Sequence, residues 1–213
     1  MSDSIYKRIK QLSDSYSRRL TEKIRERTQE MNLDDNSHFL IYQVLGISDF
    51  EGRQIDLYQN KGRFLYKYAG DFLEEAALLC FLERYPLAKT NTLIPNTLGS
   101  RPKNFEIDCL IDKLALEIKW RDATTDGDHI TKEHTRVQVI HQAGFLPVRV
   151  MFYYPNREQA KKVQSAMHTL YKGIGGQYYS GDSAWEYTKE KTNIDLLHIL
   201  QKIALSRVQE GQE

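Results

Sequence analysis

Two alternating runs separated by only two residues constrain this chain more than any other feature. Phe105, Ile107, Cys109 and Ile111 recur with period two, as do Leu114, Leu116, Ile118 and Trp120, and only Asp112 and Lys113 remain between them for a turn. The economical reading is an antiparallel hairpin, although Asp-Lys is not the preferred Asn-Gly or Asp-Gly turn pair. A two-residue turn puts Ile111 opposite Leu114, and the rest of the register follows. One face then pairs Phe105 with Trp120, Ile107 with Ile118 and Cys109 with Leu116, all apolar, as a buried sheet face requires. On the other face Glu106 meets Lys119 and Asp108 meets Glu117. Two carboxylates directly opposite, about 5 Å apart, repel each other and destabilise a sheet, so a positive species is expected between them.

A divalent cation meets that need, because ions such as Mg2+ are held by one or two carboxylates together with water and phosphate oxygens. Lys119 lies on the same face two residues after Glu117, where its ammonium can orient or help deprotonate an attacking water and stabilise charge developing on a phosphate. Asp on one strand and Glu-x-Lys on the next is thus a compact apparatus for hydrolysing a phosphodiester. The plain alternative is a solvated hairpin whose charges do no chemistry.

Around the hairpin the periodicity is mostly helical. Ile5, Ile9, Leu12, Tyr16, Leu20 and Ile24 predict a long amphipathic helix. Asn36 or Ser37 is placed to cap a second helix through Leu45, ended by Gly46, and residues 48–62 read as polar and turn-rich. A more apolar helix over residues 70–84, stopped by Pro86, is expected to lie against a sheet. Pro95, Gly99 and Pro102 punctuate the next segment. After the hairpin come a polar loop over 121–130, a helix over 131–143 ended by Gly144, and a β-branched and aromatic strand over 148–154. The intervening helix makes this strand a parallel neighbour of the hairpin. Asn156 is expected to cap a helix to Lys172, residues 173–183 are rich in Gly and Tyr, and Thr192 begins a last helix to Val208.

The predicted fold is therefore α/β: a mixed sheet, antiparallel hairpin plus parallel strand, flanked by helices and extended by helical additions at both ends. The expected division is a helical subregion over 1–62, a core over 63–172, and a C-terminal loop and helix over 173–213 that pack on the core or on a dimer partner.

Asp108 and the Glu117-Ile118-Lys119 triplet resemble the PD-(D/E)xK motif of restriction-type nucleases, with Ile107 standing where the motif often has Pro. Upstream, Gly70-Asp71-Phe72-Leu73-Glu74 is similar to the G-x-x-x-E helix of many such nucleases, and the order of helix, hairpin, helix and strand is that of their shared core. More narrowly, Leu114-Ala115-Leu116-Glu117-Ile118-Lys119-Trp120-Arg121-Asp122 and Asp128-His129-Ile130-Thr131-Lys132-Glu133-His134 resemble the ApaLI-type type II restriction endonucleases. The resemblance implies a restriction-endonuclease-like core in a Mg2+-dependent homodimer that cuts double-stranded DNA at a short palindrome such as GTGCAC. It implies Asp108 and Glu117 as metal ligands, and a catalytic set of these two with Lys119 and Glu74.

Glu74 approaches the metal on that reading; otherwise it is one of two adjacent exposed acids with Glu75. Glu106 either helps to position Lys119 or forms a plain ion pair with it. The loop that follows the active strand offers Arg121, Thr124, Thr125, Asp126 and His129 to DNA, Arg121 to a guanine edge or a phosphate, or else is merely solvated. Asp126, Asp128, His129 and His134 invite a zinc reading, which the absence of defined ligand pairs disfavours. Arg157, Lys161, His168 and Lys172 share one helical stripe that either tracks phosphates or is a solvated face. Tyr178, Tyr179, Trp185 and Tyr187 suit DNA contact or core packing equally.

Composition closes off other classes. With 213 residues, 40% hydrophobic and 28% charged, the chain is long enough for a core and has no disordered or fibrous bias. The longest apolar run, residues 76–82, is too short to cross a bilayer, and the first residues lack the pattern of a signal peptide, so a cytoplasmic location without membrane contact is expected. Cys80 and Cys109 lie in apolar segments without metal-type spacing and read as buried small hydrophobes. A net charge of +1 removes any global polyanion argument, so DNA binding requires basic residues gathered on one cleft. The competing functions are a repair or recombination nuclease that recognises structure, and a non-catalytic DNA-binding module.

Overall fold

The computed structural model describes residues 2–99, 101–122 and 127–210. These residues form seven helices and five strands in the order α1 (Ser2–Leu33), α2 (Phe39–Val44), α3 (Asp49–Arg84), β1 (Lys89–Pro95), β2 (Asn104–Ile111), β3 (Leu114–Arg121), α4 (Gly127–Gln142), β4 (Leu146–Tyr153), α5 (Glu158–Gly173), β5 (Gln177–Ser180), α6 (Asp182–Thr192) and α7 (Leu196–Glu210). The strands make one sheet in the order β1-β2-β3-β4-β5, antiparallel from β1 to β3 and parallel from β3 to β5. The mixed α/β architecture is the one the periodicity predicts.

The chain divides into two compact units, one of Met1–Ile9 with Leu73–Glu213, the other of Lys10–Phe72. The second is helical. In it Tyr16 meets Tyr68 and Phe72 edge-on, with ring centroids 6.2 and 5.8 Å apart, and Arg19 lies over the Tyr16 ring. The first unit holds the sheet. Ile107, Cys109, Leu116 and Ile118 are fully buried there, and Val139 and Ile140 of α4 join Ile94, Phe105, Leu110 and Ala115 in one apolar cluster. A second cluster joins Val137 of α4, Met151 of β4, Val163, Met167 and Tyr171 of α5, and Tyr178 of β5. Each such side chain contributes about 1.5–3 kcal/mol by leaving water. Both cysteines are free and buried, with burial pushing their thiols up to about 12.

Four local expectations are corrected. Residues 48–62 are not turn-rich but open the 36-residue α3. The start signal is Ser48, whose Oγ accepts the Glu51 N–H at 3.2 Å, with Asp49 and Glu51 acidic in the first turn. Gly52, inside this helix, allows close approach: a Cβ would stand 2.7 Å from the Tyr42 ring. The punctuated segment before the hairpin contains β1, an edge strand whose exposed, polar positions hide its period. The Gly- and Tyr-rich stretch after α5 contains β5 and the start of α6. Finally, α5 begins after Arg157 rather than at an Asn156 cap, and no side chain caps it.

The hairpin turns at Asp112, whose left-handed backbone (φ 50°) an Asp tolerates. Its partners are Ile111 with Leu114, Leu110 with Ala115 and Cys109 with Leu116, the predicted register. The ladder then stops, so the predicted direct opposition of Asp108 to Glu117, and the pairs beyond it, do not form. On its other edge β3 pairs with β4 from Leu114 to Arg121, with Glu117 opposite Arg149 and Arg121 opposite Tyr153. On the other side Thr90 pairs with Cys109 and Thr92 with Ile107, while Asn91, left-handed at φ 49°, skips Asp108. Asp108 thus has a ladder partner in neither neighbouring strand, the kind of interruption that frees a side chain for a site.

Where the chain enters β5, a Cβ on Gly176 would lie 2.9 Å from both the Pro147 and Tyr171 carbonyl oxygens. Gly176→Ala is therefore expected to lose about 1–3 kcal/mol of stability through overpacking, as measured by urea unfolding.

Candidate active site

The broken ladder exposes an edge that side chains fill. Asp108 turns its Oδ2 to accept the Ile118 N–H at 2.7 Å, tying β2 to β3 where backbone pairing has ended. Glu117 projects from β3 and is buried at 6% exposure. Lys119, two residues on, places Nζ 3.2 Å from Glu117 Oε1, 3.5 Å from Glu74 Oε1 and 3.9 Å from Asp108 Oδ2. Three carboxylates from α3, β2 and β3 thus surround one ammonium. The four residues nominated as catalytic are brought together, and of the two neighbouring acids it is half-buried Glu74 that faces the cluster while Glu75 is exposed.

The positive species expected between Asp108 and Glu117 is therefore supplied in part by the protein itself. Glu106 does not pair with Lys119; among the described residues Lys119 spends its charge on the other three acids. A second cation, Arg136 of α4, binds the other oxygen of Glu117 and also donates to the Glu106 carbonyl. Burial dominates the Glu117 carboxyl and, with Asp108 nearby, pushes it up to about 7 against the pull of Arg136 and Lys119. Burial alone would lower the Lys119 ammonium, but Glu117, Asp108 and Glu74 together outweigh it and hold it above its ordinary value.

Behind Glu117 lies a charged network that the sequence reading missed. Arg149, fully buried on β4, donates to Glu133 at 3.2 Å and to Asp122 at 2.8 Å. Tyr171 donates to Glu133 at 2.6 Å, and His129 Nε2 lies 3.0 Å from Asp122. One signal was available: Arg149 is a lone charge inside the apolar run Val148 to Phe152, and a charge so placed must find partners.

The nominated DNA-contacting residues separate into groups. Arg121 and Arg157 line one cavity of about 460 Å3 at the carboxyl ends of β3 and β4, together with Trp120, Tyr153 and Tyr154. His129 faces Asp122, inside the charged network. Lys161 is bound to Glu158 at 2.8 Å in an exposed helical ion pair, and Arg157 precedes the helix whose stripe it was expected to join. Thr124, Thr125 and Asp126 lie outside the described residues. Of the C-terminal aromatics, Tyr178 donates to buried Gln164, Tyr179 stacks on Tyr187, and Trp185 packs on Phe152, so all four serve packing.

As a site for Mg2+, the donor set is chemically suited: Asp108 and Glu117 are hard oxygen donors, and this ion commonly takes only one or two protein carboxylates. Among the described residues no three acid, His or Cys side chains converge tightly enough to hold a metal by themselves.

A mixed five-stranded sheet flanked by helices, with two acids and a lysine at a split hairpin, has the organisation of a restriction-endonuclease-like core. The finer assignment comes from comparison with known proteins. The model of the ApaLI-like restriction endonuclease family matches residues 1–205 of the 213, and the chain belongs to that family. No curated protein and no solved structure matched the chain. Family membership implies a nuclease that binds DNA, and no described helix is long and apolar enough to cross a membrane.

Proposed function

We propose that the protein is a Mg2+-dependent type II restriction endonuclease that hydrolyses phosphodiester bonds of double-stranded DNA at a short palindrome such as GTGCAC. The observation that carries this reading is the gathering of Glu74, Asp108 and Glu117 within 4 Å of the Lys119 ammonium. Such a cluster brings like charges together at a cost that a structural role does not require. Asp108 and Glu117 would hold the metal, with Glu74 in support. When bound, Mg2+ supplies Lewis-acid polarisation of the scissile phosphate. Lys119 orients the attacking water and balances the charge that develops on the phosphate. The cavity lined by Arg121 and Arg157 is positioned at the end of the strand that carries Glu117 and Lys119, so these two are the residues we assign to DNA contact, phosphate first.

A homodimer suits a palindromic target, since two-fold protein symmetry matches two-fold DNA symmetry. Leu40, Ile41, Val44, Leu45 and Phe50, all exposed on α2 and around the start of α3, support self-association. Sedimentation is expected to give a dimer.

The direct test is digestion of long phage DNA with Mg2+ and with EDTA. Discrete Mg2+-dependent fragments are expected, and their lengths identify the site. A smear, or cutting confined to branched DNA, would replace sequence recognition by structure recognition, and no cleavage of any DNA would favour a binding module.

A further inference from the structure

We propose that Arg136 is the positioning residue of this site: its guanidinium bridges the Glu106 carbonyl on β2 and the Glu117 carboxylate on β3, and so sets the separation of the strands that present Asp108 and Glu117. The inference rests on the nuclease reading and deepens it.

The argument begins with what is missing. Backbone pairing between β2 and β3 ends at Cys109 and Leu116, one residue short of Asp108 and Glu117. On the far side β1 skips Asp108 as well. The relative position of the two acids is therefore set by side chains: besides Lys119, which contacts both, Asp108 accepts the Ile118 N–H and Arg136 bonds to both strands at once. Both bonds of Arg136 leave one guanidinium nitrogen, Nη2, at the end of a long and mostly buried side chain, so a single group touches both strands.

Lys119 cannot perform this task alone, since its ammonium is shared among three carboxylates and lies on the half-exposed side of the cluster. Arg136 holds the opposite oxygen of Glu117, with only 15% of its side chain exposed. It is also held from behind. Val137, Val139 and Ile140 seat α4 in the core, and Glu133, one turn before Arg136, is fastened by Arg149 and Tyr171. The guanidinium is thus presented by a helix that cannot easily shift, which is how supporting residues orient metal-binding carboxylates elsewhere.

The test compares wild type, Arg136→Met, Arg136→Lys and Glu117→Gln, the folding of each checked by circular dichroism. Mn2+ binding is titrated by calorimetry without DNA, and kcat and the KM for a cleavable duplex are measured with Mg2+. Arg136→Met is expected to weaken Mn2+ binding about 10- to 100-fold and to lower kcat while the KM for DNA stays near wild type. Arg136→Lys, which keeps the charge on a side chain one atom shorter and so strains the reach to both strands, should fall between wild type and Arg136→Met. In the Glu117→Gln background Arg136→Met should not weaken Mn2+ binding further, because the residue acts through that carboxylate. A folded Arg136→Met with wild-type Mn2+ affinity overturns the proposal. Should Arg136→Met not fold, wild-type Mn2+ affinity and kcat in Arg136→Lys overturn it equally. A wild type that binds no Mn2+ and cuts no duplex overturns the nuclease reading beneath it, whereas a wild type that cuts and an Arg136→Met that matches it overturns the role of Arg136 alone.

Discussion

Lys119→Ala is expected to abolish cleavage, lowering kcat by at least about 10^2- to 10^3-fold, while leaving the fold and duplex binding in Ca2+ close to wild type. The reason is its place in the site. Nζ lies within 4 Å of three carboxylates, on the half-exposed side of the cluster, while the buried side of Glu117 is held independently by Arg136. Removing the ammonium therefore takes away the charge we assign to the phosphate without unpairing Glu117. Cleavage of a defined duplex, thermal melting and a binding assay in Ca2+ are the three measurements. Full activity in the variant would remove Lys119 from the mechanism.

The largest effect on stability is expected at Arg149. Arg149→Met is expected to lose about 3–5 kcal/mol in urea unfolding, because it leaves Glu133 and Asp122 without their shared buried cation. Adding Glu133→Gln should recover part of the loss, since one of the two stranded charges disappears with it. The pH dependence follows from Glu133. Burial pushes its carboxyl up, but Arg149 and Arg136 outweigh burial and leave it below its ordinary 4.5. Its stabilisation is then present in full above pH 4.5 and is lost as the pH falls through the lowered folded value. The gap between wild type and Arg149→Met should therefore narrow below pH 4.5. Wild-type stability in Arg149→Met at neutral pH would show that the network contributes nothing.

What could be read in the sequence was local. Period-two alternation with a two-residue gap specified the hairpin turn and its first three pairs, and the same alternation put Glu117 and Lys119 on one face. The resemblance added Glu74, 34 residues before Asp108, which no periodicity links to it. The errors have a common cause. The edge strand β1, the short β5 and the polar first half of α3 bury little on one face, so the hydrophobic period that marks an element is weak in each. Neighbours in space decide these segments more than propensity does.

The charged network was hidden for a different reason. Asp122, Glu133, Arg136, Arg149 and Tyr171 lie on three elements and a loop, and nothing in their spacing announces that they meet. By itself the amino-acid sequence determined the α/β class, the hairpin and the three residues on it suited to phosphodiester chemistry, since alternation within a strand and across a short turn is a matter of adjacent residues. Only the tertiary structure decided that Asp108 and Glu117 are not ladder partners, that Glu74 turns toward Lys119, and that Arg136 bonds to both β2 and β3. Those outcomes depend on where α3, α4 and β4 come to rest, and packing between elements far apart in the chain is what places them.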